Sequence, residues 1–230
     1  MVVADCSRTA AERLIEAGRV SVDGRVRTDV TTRVRPEQAV TVMGSGPAAP
    51  LSPVTLLLHK PAGLEADDWA TLLDDAHQHP TDRSGVRLAK PHLKGLQCAT
   101  PLERAASGLV VLTQVPGVIR TLVEEGSRVE HEVLVEVGGA VSAQQLRVLN
   151  ASAVVDGRAM LPARASVNQT LPDATRLRLA LKGYHPGQIL QLCDQADLTL
   201  RGIRRIRVGR LPLRDLAPGQ WRALMPYERF

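Results

Sequence analysis

Leu102-Glu103-Arg104-Ala105-Ala106-Ser107-Gly108-Leu109-Val110-Val111-Leu112-Thr113 sets one carboxylate at the mouth of a turn of small residues that runs into an apolar strand. Taken alone, Glu103 reads better as an exposed turn carboxylate paired with a nearby Arg such as Arg104 than as a reactive group. What surrounds the stretch decides between a bland turn and a reactive group.

Upstream, Pro53 introduces an apolar strand over residues 54 to 58, followed by His59-Lys60-Pro61-Ala62-Gly63. Residues 7 to 17 read as a short amphipathic helix: Thr9 and Glu12 fit a capping box, Ala11, Leu14 and Ile15 form the apolar stripe, and Gly18 is the stop. Val20-Ser21-Val22 and Arg25-Val26-Arg27 flank an Asp23-Gly24 turn and predict a hairpin, and a last strand is expected over 39 to 43. The exposed face of this small αβ unit would carry Arg8, Arg19, Arg25 and Arg27. Gly44-Ser45-Gly46-Pro47-Ala48-Ala49-Pro50 has the composition of a linker.

Downstream, residues 116 to 125 predict a helix ending at Gly126. Val129, His131, Val133, Val135 and Val137 share one face of a strand, and residues 176 to 182 alternate the same way. A helix is expected from Gln188 to Ala196, with Ile189, Leu192 and Cys193 inward. The densest basic run, residues 201 to 214 with Arg204, Arg205 and Arg207, alternates too closely for a helix and predicts a strand and turn. Residues 64 to 98 and 138 to 174 are the least legible. Asp67-Asp68, Asp74-Asp75, His77 and His79 hold metal-ligand types, but nothing supports their convergence, so a solvated acidic helix with a loop is the reading and no metal is expected.

At 230 residues the chain suits one large and one small domain. No apolar run approaches a membrane span, and the first residues lack the basic and apolar regions of a signal peptide, so a cytoplasmic protein is expected. Cys6, Cys98 and Cys193 are far apart and form no CxxC pair, consistent with reduced thiols. The net charge of +5, carried mostly by Arg, favours a polyanion partner. With aromatic residues at only 2%, recognition through shape and phosphates is expected over base stacking.

The stretch from Leu102 to Thr113 resembles the catalytic motif of RNA pseudouridine synthases of the RsuA/RluB/RluE/RluF type. That motif reads Gly-Arg-Leu-Asp, two variable residues, Thr or Ser, a small residue or Ser, Gly-Leu, then an apolar strand ending in Thr. His59-Lys60-Pro61-Ala62-Gly63 resembles the same family's Asn-Lys-Pro-Ala-Gly. Asp215-Leu216-Ala217-Pro218-Gly219-Gln220-Trp221-Arg222 resembles its closing Asp-Leu-Pro-Pro-Gly-Glu-Trp-Arg. The N-terminal unit resembles an S4 RNA-binding domain, through Ser7-Arg8, Ala11-Glu12-Arg13-Leu14-Ile15, Gly18-Arg19-Val20 and Asp23-Gly24. S4 domains begin with a helix before that Ser-Arg, so this helix is missing or the chain as given starts late.

The resemblance implies an α+β protein with an S4-like domain over 1–44, a linker over 45–53, and a pseudouridine synthase-like domain over 54–230. The larger domain would have a mixed, mainly antiparallel sheet. It implies a monomer acting on structured RNA, with ribosomal RNA the expected class, through one essential carboxylate and no cofactor. Glu103 holds that catalytic position. Arg8, Arg19, Arg25, Arg27, Lys60, Arg204, Arg205 and Arg207 are the expected RNA contacts.

The pattern departs at the pocket. Glu103 replaces Asp, and a displacement of about 1 Å can cost about 10²-fold in rate. Pro101 stands where the family has an Arg. His131-Glu132-Val133-Leu134-Val135 replaces Lys-x-Tyr-Leu-Val, so the pocket Tyr becomes Val133. Pro186-Gly187-Gln188-Ile189-Leu190-Gln191 aligns with Asn-Arg-Gln-Ile-Arg-Arg, whose first Arg pairs with the Asp. Two expectations follow from the resemblance: uridine isomerisation through Glu103, or lost catalysis with a role in ribosome assembly or RNA folding. The linked departures favour impaired or lost catalysis. A different enzyme acting on a small substrate is disfavoured, because no nucleotide or cofactor motif is present.

Overall fold

The computed structural model describes residues 6–44, 52–65 and 68–230. Contacts divide the chain into two units, residues 1–54 with 85–96, and residues 55–84 with 97–230. The strip 85–96 therefore joins the first unit, although the sequence reading keeps 54–230 whole. Most of the expected linker, residues 45–51, and Asp67 lie outside the described residues.

In the first unit, α1 (Arg8–Glu16) is followed by β1 (Val20–Val22), β2 (Arg25–Arg27) and β3 (Val40–Val42), in sheet order β2-β1-β3. The helix starts two residues earlier than its capping box predicts. Ser7 is the N-cap and accepts from the Ala10 N–H at 3.2 Å, while Glu12 pairs with Arg8 at 2.9 Å. Asp23 and Gly24 both take positive φ, the conformation a two-residue hairpin turn requires. Leu14 and Val20 form a small core. α2 (Lys90–Leu93) belongs to this unit, and Lys90 pairs with Asp29 at 2.7 Å.

The second unit is built on one sheet. Its strands are β4 (Thr55–Lys60), β5 (Gln97–Cys98), β6 (Ser107–Thr113), β7 (Glu130–Gly138), and the hairpin β8 (Val154–Val155) and β9 (Arg158–Ala159), which stands apart. They continue with β10 (Arg164–Thr170), β11 (Ala174–Lys182), β12 (Leu200–Val208), β13 (Leu211–Pro212) and β14 (Trp221–Ala223). The sheet runs β10-β11-β7-β12-β6-β4-β14, with β13 beside β12 and β5 beside β6. Only the β12–β6 pairing is parallel, so the sheet is mixed and mainly antiparallel, as expected. The helices are α3 (Pro116–Ile119), which continues as a π-type turn to Glu124, α4 (Ala143–Leu149) and α5 (Gln188–Gln195).

The central strands explain the fold's stability. Leu56, Leu57, Leu58, Leu109, Val111 and Leu112 show no solvent exposure, and each such side chain contributes about 2 kcal/mol on burial. On β7, residues 131, 133, 135 and 137 are buried and alternate with half-buried neighbours, as the period of two predicts. Leu177, Leu179 and Leu181 of β11 are also buried, as are Ile189, Leu192 and Cys193 of α5. Residues 68–72 form a short 3₁₀ turn rather than an acidic helix, and His79 is buried against Thr81. Among the described residues no cluster could hold a metal ion, and no helix is long and apolar enough to cross a membrane.

Candidate active site

Glu103 lies in the tight turn that leads into β6. Ala106 N–H donates to the Glu103 carbonyl at 3.1 Å, closing the turn. Beneath it, Lys60 at the end of β4 is buried, and its ammonium donates to four backbone carbonyls: Pro61 (3.2 Å), Glu103 (3.1 Å), Arg104 (3.2 Å) and Ala106 (2.9 Å). Burial lowers the Lys60 pKa, and the nearby Glu103 charge opposes that shift.

The Glu103 side chain points at a group that the sequence reading missed. The Tyr184 hydroxyl lies 2.7 Å from Oε1 and 2.5 Å from Oε2, and the Gly187 N–H donates to Oε1 at 2.8 Å. Gly187 is the N-cap of α5 at φ +90°, a left-handed conformation that glycine adopts without strain. Burial, then the charge and hydrogen bond of Glu103, push the Tyr184 hydroxyl well above the ordinary phenol pKa, so it stays a donor. Arg104 does not pair with Glu103; it reaches Glu65 at 3.0 Å and the Gly63 carbonyl at 3.3 Å.

Behind Tyr184 lie two buried basic groups. The Arg205 guanidinium carbon is 5.3 Å from the centroid of its ring. The His131 ring is 5.9 Å away, tilted by 30°. Arg205 is fully buried, and its N–H groups donate to the carbonyls of Leu109 (2.7 Å), Pro101 (3.4 Å) and Thr100 and to Thr100 Oγ1 (3.2 Å). Burial lowers its pKa to about 10. Register explains the placement: Arg205 stands opposite Val133 on β7 and Gly108 on β6. A Cβ on Gly108 would overlap the Arg205 backbone, so the two strands approach this closely only around glycine. Burial, then Arg205 and Arg207, hold His131 at about 3.

Of the departing segments, one reaches Glu103 and two reach Arg205 behind it. Pro101 accepts from Arg205, Val133 faces Arg205 across the strands, and Gly187 donates to the carboxylate. The carboxylate is not bereft of partners, as the linked departures suggest. A phenol and a backbone amide serve it in place of a cation. Tyr184 left one signal in the sequence: it is one of two tyrosines, set in Gly183-Tyr184-His185-Pro186-Gly187 just before a helix. A cleft of about 650 Å³ opens beside it, lined by Pro101, Met160, Leu161, Tyr184 and Pro186, with Arg158 and Lys182 adding positive charge.

The arginines expected to face RNA are not equivalent. Arg204 is exposed, Arg205 is buried, and Arg207 donates to Glu132 at 2.8 Å and to Glu130 at 2.6 Å. Strand alternation, with a register shift between Arg205 and Arg207, sends neighbours of the basic run to different environments. Lys60 and Arg205, both expected among the RNA contacts, are buried here against backbone carbonyls. In the first unit Arg8 and Arg25 are exposed, Arg19 donates to the Met43 carbonyl at 2.8 Å, and Arg27 is half-buried.

Comparison with known proteins gives concordant results. Residues 4–40 match the S4 domain family. An uncharacterized RNA pseudouridine synthase of Mycobacterium tuberculosis is 30% identical over 223 residues, covering 96% of this chain and 86% of the relative. The dual-specificity RNA pseudouridine synthase RluF of Escherichia coli is 25% identical over 221 residues, covering 95% and 71%. A crystal structure of a pseudouridylate synthase superposes with a TM-score of 0.61 at 17% identity, covering 97% of this chain and 92% of that one, a likeness of fold.

Proposed function

This chain belongs to the RNA pseudouridine synthases of the RsuA/RluB/RluE/RluF type, and from that membership we propose that it binds structured RNA and isomerises uridine to pseudouridine through Glu103. Ribosomal RNA is the expected substrate class, and a monomer working in the cytoplasm is the expected form. One observation carries the reading: the Glu103 carboxylate is held by the Gly187 N–H and by the hydroxyl of Tyr184, a residue that lines a cleft. A carboxylate aimed by preorganised donors is what a reaction at one extruded nucleotide needs. Neutral donors leave the rate below that of a site with a directly paired cation, because the strongest hydrogen bonds to carboxylates are charge-assisted.

No cation touches the Glu103 carboxylate among the described residues. That observation favours the second reading, in which catalysis is lost and the protein serves ribosome assembly or RNA folding. Incubation with unmodified ribosomal RNA transcripts, followed by chemical mapping of pseudouridine, separates the two. Under the first reading product forms and disappears in Glu103→Gln. No product at high protein excess, with none gained in Glu103→Asp, would leave only the second.

A further inference from the structure

Tyr184 joins the Glu103 carboxylate to two buried groups packed at its ring, Arg205 and His131, and Lys60 holds the Glu103 backbone. Tyr184 follows β11, Arg205 comes from β12, His131 from β7 and Lys60 from β4. Both cations are fastened elsewhere: Arg205 to the carbonyls of Thr100, Pro101 and Leu109, and Lys60 to the carbonyls of the turn. Arg205 nevertheless lies against the ring face of Tyr184, whose hydroxyl reaches both Glu103 oxygens.

We propose that Tyr184 is the positioning residue of Glu103: its hydroxyl fixes the orientation of the longer carboxylate and couples it, through the phenol ring, to the buried Arg205 cation. Glu has one more rotatable bond than Asp, and a carboxylate on that arm needs clamping to hold a single direction. One donor spanning both oxygens, with an amide on one of them, supplies the clamp. A cation over the ring face draws electron density from the phenol and strengthens it as a donor. The consequence for turnover rests on the uridine-isomerising reading; the coupling itself does not.

Tyr184 and Tyr227 are the chain's only tyrosines, which makes the coupling directly observable. Label the protein with tyrosine carrying ¹³C at the ring carbon bound to oxygen, and record NMR spectra at pH 7, using Tyr184→Phe for assignment. The Tyr184 signal should stand apart from that of Tyr227 and move on Glu103→Gln, whose amide carries no charge. On raising the pH, Glu103→Gln should lower the ionisation midpoint of Tyr184 by about one unit or more, as loss of an adjacent negative charge does. A Tyr184 signal indifferent to Glu103→Gln at pH 7 overturns the proposal. In turnover, Tyr184→Phe should lower kcat about tenfold or more while leaving KM near its wild-type value, since the clamp acts on the reacting group and not on RNA binding. Equal loss in Tyr184→Phe and a remote surface variant would also overturn it. Absence of any pseudouridine in wild type would remove the isomerising function and leave the NMR result standing.

Discussion

The Lys60 ammonium meets Glu103 at its backbone and not at its side chain, donating to the Glu103 carbonyl at 3.1 Å. The same ammonium also holds the carbonyls of Arg104 and Ala106, so one buried charge ties together the turn from which the carboxylate projects. The Lys in His59-Lys60-Pro61 is thus a fastener of the Glu103 turn.

Lys60→Met should therefore loosen the turn without touching the carboxylate directly. It removes one donor from four carbonyls, of which those of Glu103 and Arg104 keep the Ala106 and Gly63 N–H groups, and each carbonyl left unpaired costs about 1–3 kcal/mol. A total loss of about 3 kcal/mol in urea unfolding is expected, with water recovering part of the remainder. An unfolding midpoint unchanged from wild type would show that the turn holds without the ammonium.

The buried His131 makes stability depend on pH. In the folded state its ring stays neutral down to about pH 3, because burial and the neighbouring Arg205 and Arg207 disfavour the cation. The unfolded chain takes up that proton near 6.5, so between the two values the unfolded state binds more protons. The stability contribution is complete above pH 6.5 and falls as pH drops toward 3. From pH 7 to pH 5 this single group should cost about 2 kcal/mol. His59 and His92 shift the same way, so the comparison is with His131→Leu, whose unfolding free energy should change less over that interval. Identical pH slopes for the two proteins would contradict it.

The exposed arginines of the first unit should answer to salt, and the buried one should not. Arg8→Ala and Arg25→Ala should each flatten the plot of log affinity for structured RNA against log salt by about 0.7–0.9, one phosphate contact apiece. Arg205→Met should instead lower folding stability, because its guanidinium is packed among carbonyls and not presented to solvent. Filter binding across a salt series reads the first effect and thermal unfolding the second. A slope unchanged by either surface substitution would place RNA elsewhere on the protein.

Much of the fold was legible along the chain. The alternation of residues 129 to 137 and 176 to 182, the Asp23-Gly24 turn and the 188–196 helix all emerge close to their expected places, because a repeating apolar face is a local property of sequence. Between residues 138 and 174 the Ser142–Gln145 capping box of α4 is a local signal of a helix start, whereas the hairpin β8–β9 and the edge strand β10 carry no apolar period. The position of the carboxylate proposed to react was also legible, since turn, glycine and strand lie in one unbroken stretch.

What surrounds Glu103 was not. The order of residues alone establishes that the arginines and the tyrosine implied by the resemblance are absent from their positions, which points to an abandoned pocket. Only the tertiary structure brought Tyr184 and Gly187, 81 and 84 residues away, to the carboxylate, and placed Arg205 under the ring. Only strand register decided that Arg205 is buried while Arg204 faces solvent. The physical reason is common to both. A side chain's type is written locally, but its hydrogen-bond partners and its solvent depend on which strands pair and in what register, and those are properties of the whole sheet.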